Sequence, residues 1–137
     1  MPKFAICVEM LFNNLPFLNR LEKVKDAGVT AFEFWDWTSK DVDAIVKKKN
    51  ELDLDVSTFN ASPRIPSLTR LDVKDEFVSS VEASIKVAKR LDCDNLIAPV
   101  GLGQPTSRLA RKKQLRNAIE NLKAVAPLVE ESEIRLL

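Results

Sequence analysis

The side chains able to carry out acid–base chemistry in this chain are carboxylates, lysines, arginines and hydroxyls. Its 137 residues include 20 Asp and Glu and 21 Lys and Arg, but no histidine and no tyrosine. Histidine is the commonest general base near neutral pH and the commonest protein ligand of metals such as zinc. The composition therefore excludes an activity that depends on a histidine-rich zinc cluster within this chain.

Glu33 is a carboxylate in an unusual context, because it lies within a largely apolar segment, residues 29–34, that is typical of a buried strand. A charge in such a strand costs free energy unless it is paired or hydrogen-bonded. Two interpretations stay open at this point. Glu33 is either a polar contact inside the fold or a carboxylate that meets a substrate.

Two tryptophans and an asparagine follow strand-like segments. Trp35 and Trp37 come directly after the segment that holds Glu33, and Asn60 follows the strand-like residues 56–59. Exposed tryptophans at the mouth of a barrel often line a ligand pocket, although they can equally fill a gap between a helix and a strand. Asn60 either hydrogen-bonds a hydroxyl or forms a turn.

Strand-like and helix-like segments alternate along the whole chain. Short apolar runs predict strands, and apolar residues spaced three and four apart predict the helices between them. This alternation is typical of an α/β fold with parallel strands in a single domain, residues 1–137. We expect strands at 4–8, 29–34, 56–59, 96–100 and 134–137; helix starts at Pro16, Ser39 and Asp72 or Asp75; and a fourth helix with its apolar stripe at Leu115, Ile119, Leu122, Val125 and Val129.

Two architectures accept this pattern. One is the first half of an eight-stranded (β/α) TIM barrel, of which a full copy takes about 250 residues. The other is a flavodoxin-like parallel sheet, which fits the length better. However, the residues after the first strand, 10–14, lack the Ser, Thr and Gly of a phosphate-binding loop, and no phosphoacceptor aspartate ends the third strand at Asn60. The residues therefore favour the half-barrel.

Short motifs spread over the chain carry a resemblance to a known family. They are Phe4-Ala5, Met10-Leu11-Phe12, Leu15-Pro16-Phe17-Leu18 with Arg20, Ala27-Gly28, Phe32-Glu33-Phe34-Trp35, Lys40-Asp41, Ser67-Leu68, Glu76-Phe77, Ala88-Lys89 with Leu91 and Cys93, Asn95-Leu96-Ile97, Asn121-Leu122 and Ala126-Pro127-Leu128. Together they resemble the hydroxypyruvate isomerase-like proteins of the xylose-isomerase-like TIM-barrel group of sugar isomerases and epimerases. The resemblance implies an aldose–ketose type isomerase acting on a small hydroxylated carbonyl compound or sugar.

The resemblance also implies a divalent metal, Mg or Mn, and two glutamates that shuttle a proton. The family's metal ligands lie on later strands, and no position of this chain matches them, so we assign no catalytic and no metal-binding residue. What the resemblance carries over is one wall of the substrate pocket, with Phe12, Trp35, Trp37 and Asn60 as substrate-binding residues and Glu33 as a structural or substrate residue. Cys7 and Glu9 depart from the family pattern, which has an asparagine and a small polar residue there.

Charge and cysteine usage limit the partners. The net charge is +1, and no apolar run approaches the ~20 residues of a membrane-spanning helix, so we expect neither nucleic acid nor membrane as a partner. The basic run between Arg108 and Arg116 is interpreted as a solvated helix face, with phosphate binding as the alternative. Cys7 and Cys93 are expected to be buried free thiols in a reducing cytoplasm.

The last residues, 133–137, read as a strand with nothing behind it to cover its apolar face. We therefore expect the chain to be the N-terminal half of an isomerase and to be inactive alone. A non-catalytic half-barrel that self-associates through its open strand edges is the alternative, and a flavodoxin-like monomer is a third.

Overall fold

Strands and helices alternate strictly in the structure, a computed structural model that describes residues 3–65, 67–101 and 107–137. This confirms the predicted order of elements. The elements are β1 (Ile6–Cys7), α1 (Phe17–Asp26), β2 (Ala31–Glu33), α2 (Val42–Leu52), β3 (Asp55–Asn60), α3 (Lys74–Arg90), β4 (Asn95–Ile97), α4 (Arg108–Ser132) and β5 (Arg135–Leu136). In these residues we find no helix of the length and apolar character needed to cross a bilayer.

The five strands form one parallel sheet in the order β1-β2-β3-β4-β5. Each strand pairs with its successor along the chain, and right-handed crossovers then place the connecting helices on the same face. Consecutive helices accordingly pack side by side, α1 on α2 and α3 on α4. A doubly wound sheet reverses its strand order at a switch point, which this sheet does not do. The sheet is thus an arc of a TIM-type barrel, and the flavodoxin-like alternative is wrong.

The helix starts differ in part from the prediction. Pro16 precedes α1 as expected, but Ser39 does not cap α2. Instead the Asp41 side chain accepts a hydrogen bond from the Ala44 N–H at 3.0 Å. Neither predicted aspartate caps α3, whose N-cap is Val73 without a side-chain bond.

The core lies between the sheet and the helices and is rich in phenylalanine. Phe34 stacks on Phe59 and on Phe32, with ring centroids 5.2 and 6.1 Å apart, and meets the edge of Phe17 at 5.6 Å. The alternation of these side chains with Glu33 places the carboxylate on the opposite side of the sheet. We call that side, away from the helices, the inner face.

The predicted apolar stripe of α4 is confirmed only in its C-terminal part. Val125 is fully buried and Leu122 and Val129 pack on the core. Leu115 and Ile119, in contrast, are 44% and 51% exposed, and Asn121 is fully buried. The Asn121 amide donates to the Leu68 and Arg70 carbonyl oxygens, both at 2.7 Å, and these bonds fix how α4 is rotated against the loop between β3 and α3. The spacing of apolar residues alone does not predict these hydrogen bonds of Asn121.

Candidate functional site

Two of the predicted site residues meet at the carboxyl end of the sheet. Asn60 is the last residue of β3, and its backbone N–H donates to the Trp35 carbonyl oxygen at 3.3 Å. Trp35 follows β2 and remains 47% exposed. In parallel barrels the loops at this end of the strands carry the functional groups. An exposed indole and an amide side chain thus share the edge at which a ligand would be expected.

Phe12 lies in the segment after β1 at the same end. Its backbone is left-handed, with φ of 61°, and its carbonyl oxygen accepts a bond from the Leu15 N–H at 2.9 Å. A left-handed conformation is costly for a bulky residue, so the surrounding turn holds Phe12 in an unfavourable backbone geometry. Its side chain is half-buried, while Met10 and Leu11 beside it are 67% and 52% exposed. The carboxyl end therefore has an apolar rim.

The inner face carries a row of polar side chains across three strands. Cys7 pairs in register with Glu33, and Glu33 pairs with Thr58. Register partners in a parallel sheet present their side chains on the same side, so these three are lateral neighbours. Asn60, two residues beyond Thr58, pairs with Ile97 and lies one step nearer the carboxyl end on the same face. Glu33 is half-buried.

The Cys7 thiol is influenced by its neighbours on this face. Burial raises the pKa of Cys7, backbone bonds at Glu9 and Met10 lower it, and the neighbouring Glu33 carboxylate raises it again, so that the net pKa lies above its ordinary value. Cys7 is half-buried rather than buried as predicted, whereas Cys93 is buried, and both are free thiols. At neutral pH the inner face thus presents a protonated thiol next to a carboxylate.

The Trp37 side chain makes a contact that connects separate elements of the fold. Its indole N–H donates to the Ser84 hydroxyl at 2.8 Å, and this fully buried serine donates in turn to the Ala61 carbonyl oxygen at 2.9 Å. Trp37 therefore joins the loop after β2 to α3 and to the loop after β3. This geometry matches the gap-filling alternative, and a substrate contact of Trp37 stays a prediction.

An ion-pair network that sequence reasoning missed lies below the rim. The two oxygens of Glu9 contact the Lys40 amine at 2.6 Å and the Arg20 guanidinium at 3.2 Å, with all three side chains less than 20% exposed. Arg20 also donates to the carbonyl oxygens of Val8 and Leu15. The one signal in the sequence was the charge of Glu9 directly after an apolar run. Both oxygens of Glu9 are engaged, so this carboxylate is structural.

The donor set of the described residues does not fit the divalent metal implied by the resemblance. Within 3–65, 67–101 and 107–137, no three or more His, Cys, Asp or Glu side chains come together as a group able to hold a metal ion. A hard cation requires several oxygen ligands in a near-octahedral array. Glu9 is held by two cations and Glu33 lies beside a thiol, so neither completes such an array.

The chain is similar in sequence to curated isomerases and in fold to several solved structures. It is 26% identical over 132 residues to the 2-oxo-tetronate isomerase of Pectobacterium atrosepticum, covering 92% of this chain and 50% of that protein. It superposes on an AP endonuclease, family 2, from Brucella melitensis with a TM-score of 0.84 and 28% identity, covering 99% of this chain and 54% of the other. A D-psicose 3-epimerase from Clostridium cellulolyticum H10 shares the fold with a TM-score of 0.74 at 13% identity, over 98% of this chain and 51% of that one.

The chain thus spans about half the length of the proteins that it matches. Residues 21–137 match the family model described as Xylose isomerase-like TIM barrel. This match covers most of the chain, agrees with the strand order of the sheet, and extends over β2–β5 and all but the first residues of α1. The chain belongs to the xylose isomerase-like TIM barrel family.

Proposed function

We propose that this chain forms one wall of the substrate site of an isomerase or epimerase that acts on a small hydroxylated carbonyl compound. The family membership and the similarity to a 2-oxo-tetronate isomerase support this reaction class. Four-carbon 2-oxo sugar acids such as 2-oxo-tetronate, and the related hydroxypyruvate, are the first substrates to test. We expect the cytoplasm as the compartment, since both cysteines are free thiols.

The single observation that carries the proposal is the bond between Asn60 and Trp35 at the carboxyl end of the sheet. In the proposed site the exposed Trp35 and the Phe12 side chain pack on the carbon skeleton of the substrate, and the Asn60 amide hydrogen-bonds a substrate hydroxyl. Trp37 supports this wall from behind through its bond to Ser84.

The chemical step requires groups beyond those described. Abstraction of a proton next to a carbonyl needs a base within reach and, in this family, a divalent cation that stabilises the oxyanion. The described residues form no such cation site. We propose that the base and the metal ligands are supplied by residues outside this chain, and we expect these 137 residues alone not to turn over 2-oxo-tetronate.

Tryptophan fluorescence tests this proposal, because the chain has two tryptophans and one of them is exposed. The Trp37→Phe variant leaves Trp35 as the reporter. Titration with 2-oxo-tetronate is expected to give a saturable change, and Asn60→Ala in the same background should weaken binding about tenfold, as the loss of one hydrogen bond does. A signal that does not saturate, or equal binding by the Asn60→Ala variant, contradicts the proposal.

A second candidate is a half-barrel that self-associates, and the open edge of the sheet favours it. A cavity of ≈ 410 Å³ beside β5 is lined mainly by apolar residues of β5 and α4, including Leu122, Val125, Val129 and Leu136. Exposed apolar surface and strand edges promote association. Two copies would bring ten strands where a barrel of this type has about eight, which argues against simple closure. Light scattering that gives twice the 15.4 kDa chain mass would support this candidate, and a monomer mass would reject it.

A further inference from the structure

The inner face carries a buried hydroxyl without a hydrogen-bond partner and a carboxylate without a counter-charge among the described residues. The Thr58 hydroxyl oxygen is buried and has no partner among the described residues, in a residue that is only 8% exposed. Its register partner Glu33 is half-buried and makes no ion pair with a described lysine or arginine. A buried hydroxyl without a hydrogen bond and a partly buried carboxylate without a counter-charge each cost folding free energy. Such groups are rare in native proteins, and their presence side by side calls for an explanation.

On the other side of Glu33 lies Cys7, its register partner on β1. The thiol is a weak donor with a single proton, and the carboxylate has lone pairs for several donors. The carboxylate is therefore flanked by two short donor side chains, on β1 and on β3. Neither of them carries a charge that would neutralise it.

Glu9, a second carboxylate near this end of the sheet, cannot serve as a hydrogen-bond acceptor for a ligand. Glu9 has its two oxygens engaged by Arg20 and Lys40. Glu33 keeps acceptor capacity on the side of the sheet away from the helices, one step below Asn60 along the strands. Of Glu9 and Glu33, the latter is thus the acceptor that can meet a ligand.

The geometry points to a hydroxyl-binding floor formed by Cys7, Glu33 and Thr58, in which Glu33 accepts a hydrogen bond from a hydroxyl of a small polyhydroxylated carbonyl compound. Cys7 is a positioning residue, because its S–H donates to one carboxylate oxygen and leaves the other directed at the ligand. The ligand class rests on the proposed function, and the arrangement of the three side chains does not. The floor distinguishes hydroxylated compounds from their deoxy analogues, since a deoxy compound leaves the carboxylate unpaired.

The arrangement is tested first without any ligand, by the pH profile of Cys7 alkylation with iodoacetamide followed by peptide mass spectrometry. The charged groups near Cys7 are Glu33 on β2 and Glu9, which is paired with Arg20 and Lys40.

Glu33→Gln removes a negative charge that disfavours the Cys7 thiolate. The midpoint of Cys7 alkylation in this variant is therefore expected at lower pH, with an alkylation rate about threefold higher near pH 8. The control variant Asp55→Asn also removes one carboxylate charge, but at the amino end of β3, and is expected to leave the Cys7 midpoint unchanged. The buried Cys93 is the internal reference. Equal midpoints for the wild type and Glu33→Gln overturn the arrangement.

The ligand is tested with 2-oxo-tetronate and with 2-oxobutyrate, which has the same carbon skeleton without the two hydroxyls. 2-Oxo-tetronate is expected to slow Cys7 alkylation and to bind about tenfold more tightly than 2-oxobutyrate, and Glu33→Gln should remove most of this preference. Cys7→Ser keeps a donor and should retain the preference, whereas Cys7→Ala should lose it. Circular dichroism verifies that each variant is folded.

The Trp35 fluorescence signal, recorded for the same variants in the Trp37→Phe background, separates the two proposals. A preference for 2-oxo-tetronate that Glu33→Gln does not reduce overturns the floor and leaves the proposed function standing, because Asn60 then accounts for the preference. Saturable binding of both compounds with equal affinity overturns the floor and also the hydrogen bond of Asn60 to a substrate hydroxyl. If Trp35 reports no binding of either compound, the proposed function and the ligand role of the floor fall together. The alkylation profile then still decides whether Cys7 and Glu33 interact.

Discussion

At the scale of single residues, Glu9 and Glu33 have different roles because they lie at different positions relative to a strand end. Glu33 lies on the inner face beside Cys7 and Thr58, whereas Glu9 lies beyond β1 and is bound by Arg20 and Lys40. Lys40 also lies 4.9 Å from the centroid of the Phe17 ring, so one cation contacts both the carboxylate and the core. The Glu9 network therefore ties the turn that carries Phe12 to α1 and to the loop before α2.

Glu9→Gln is expected to lower the free energy of unfolding by about 3 kcal/mol, since it leaves two poorly exposed cations without their shared counter-charge. Urea denaturation at neutral pH measures this loss. The matched control is Glu120→Gln, which removes the charge of an exposed i,i+3 pair with Lys123 and should change stability by less than about 0.5 kcal/mol. Equal effects of the two substitutions would show that the Glu9 network is not a stabilising contact.

Some residue roles were accessible from the sequence and others were not. The unusual context of Glu33 was visible, because a charge interrupts an apolar strand. The partner of Trp37 was not, since Ser84 lies 47 positions along the chain and its hydroxyl is a common surface group until the fold buries it. The same holds for Asn121, whose anchoring bonds span more than 50 positions.

At the scale of elements, the apolar periodicity identified each strand and helix but not how each helix begins. Ser39 and Asp41 are both good capping residues by type, and the choice between them depends on which side chain reaches the first free N–H groups. Asp41 does, because α2 begins at Val42. Asp36 instead uses Thr38 and Ser39 to build the turn before the helix.

Asp41→Ala is expected to destabilise the chain by about 1 kcal/mol through loss of the cap. Ser39→Ala, at the position favoured by the sequence, should cost less than about 0.5 kcal/mol, as most exposed substitutions do. Thermal unfolding of both variants beside the wild type provides the comparison. A larger loss of stability for Ser39→Ala than for Asp41→Ala would show that Ser39, and not Asp41, caps α2.

At the scale of the whole molecule, the strand order follows from the alternation of elements, but the choice between a barrel arc and a doubly wound sheet does not. Length favoured the compact sheet, and the residues after the first and third strands favoured the barrel. The arrangement β1-β2-β3-β4-β5 and the family match agree with the residues. A cavity of ≈ 510 Å³ lies at the amino ends of the strands and is lined in part by Ala5, Ala31 and Ser57.

The wall of the substrate site is the part of the account that the sequence supports least. Phe12, Trp35 and Asn60 come from three separate segments, and only the pairing of β1, β2 and β3 brings their segments to one end. The basic segment at the start of α4 is the competing location for an acidic ligand, with Arg116 and Lys113 beside a separate cavity of ≈ 690 Å³. The carboxyl end of β1–β3 and the start of α4 lie on different segments of the chain. Binding at one or the other therefore changes the NMR signals of different residues.

Amide NMR spectra of the labelled chain, recorded during titration with 2-oxo-tetronate, test the central claim most directly. We predict that the largest shift changes occur at Phe12, Trp35, Asn60 and the adjoining inner face, and that the indole N–H of Trp35 moves more than that of Trp37. Changes concentrated on Lys113 and Arg116, or no change at saturating ligand, would contradict a substrate wall at the carboxyl end of β1–β3.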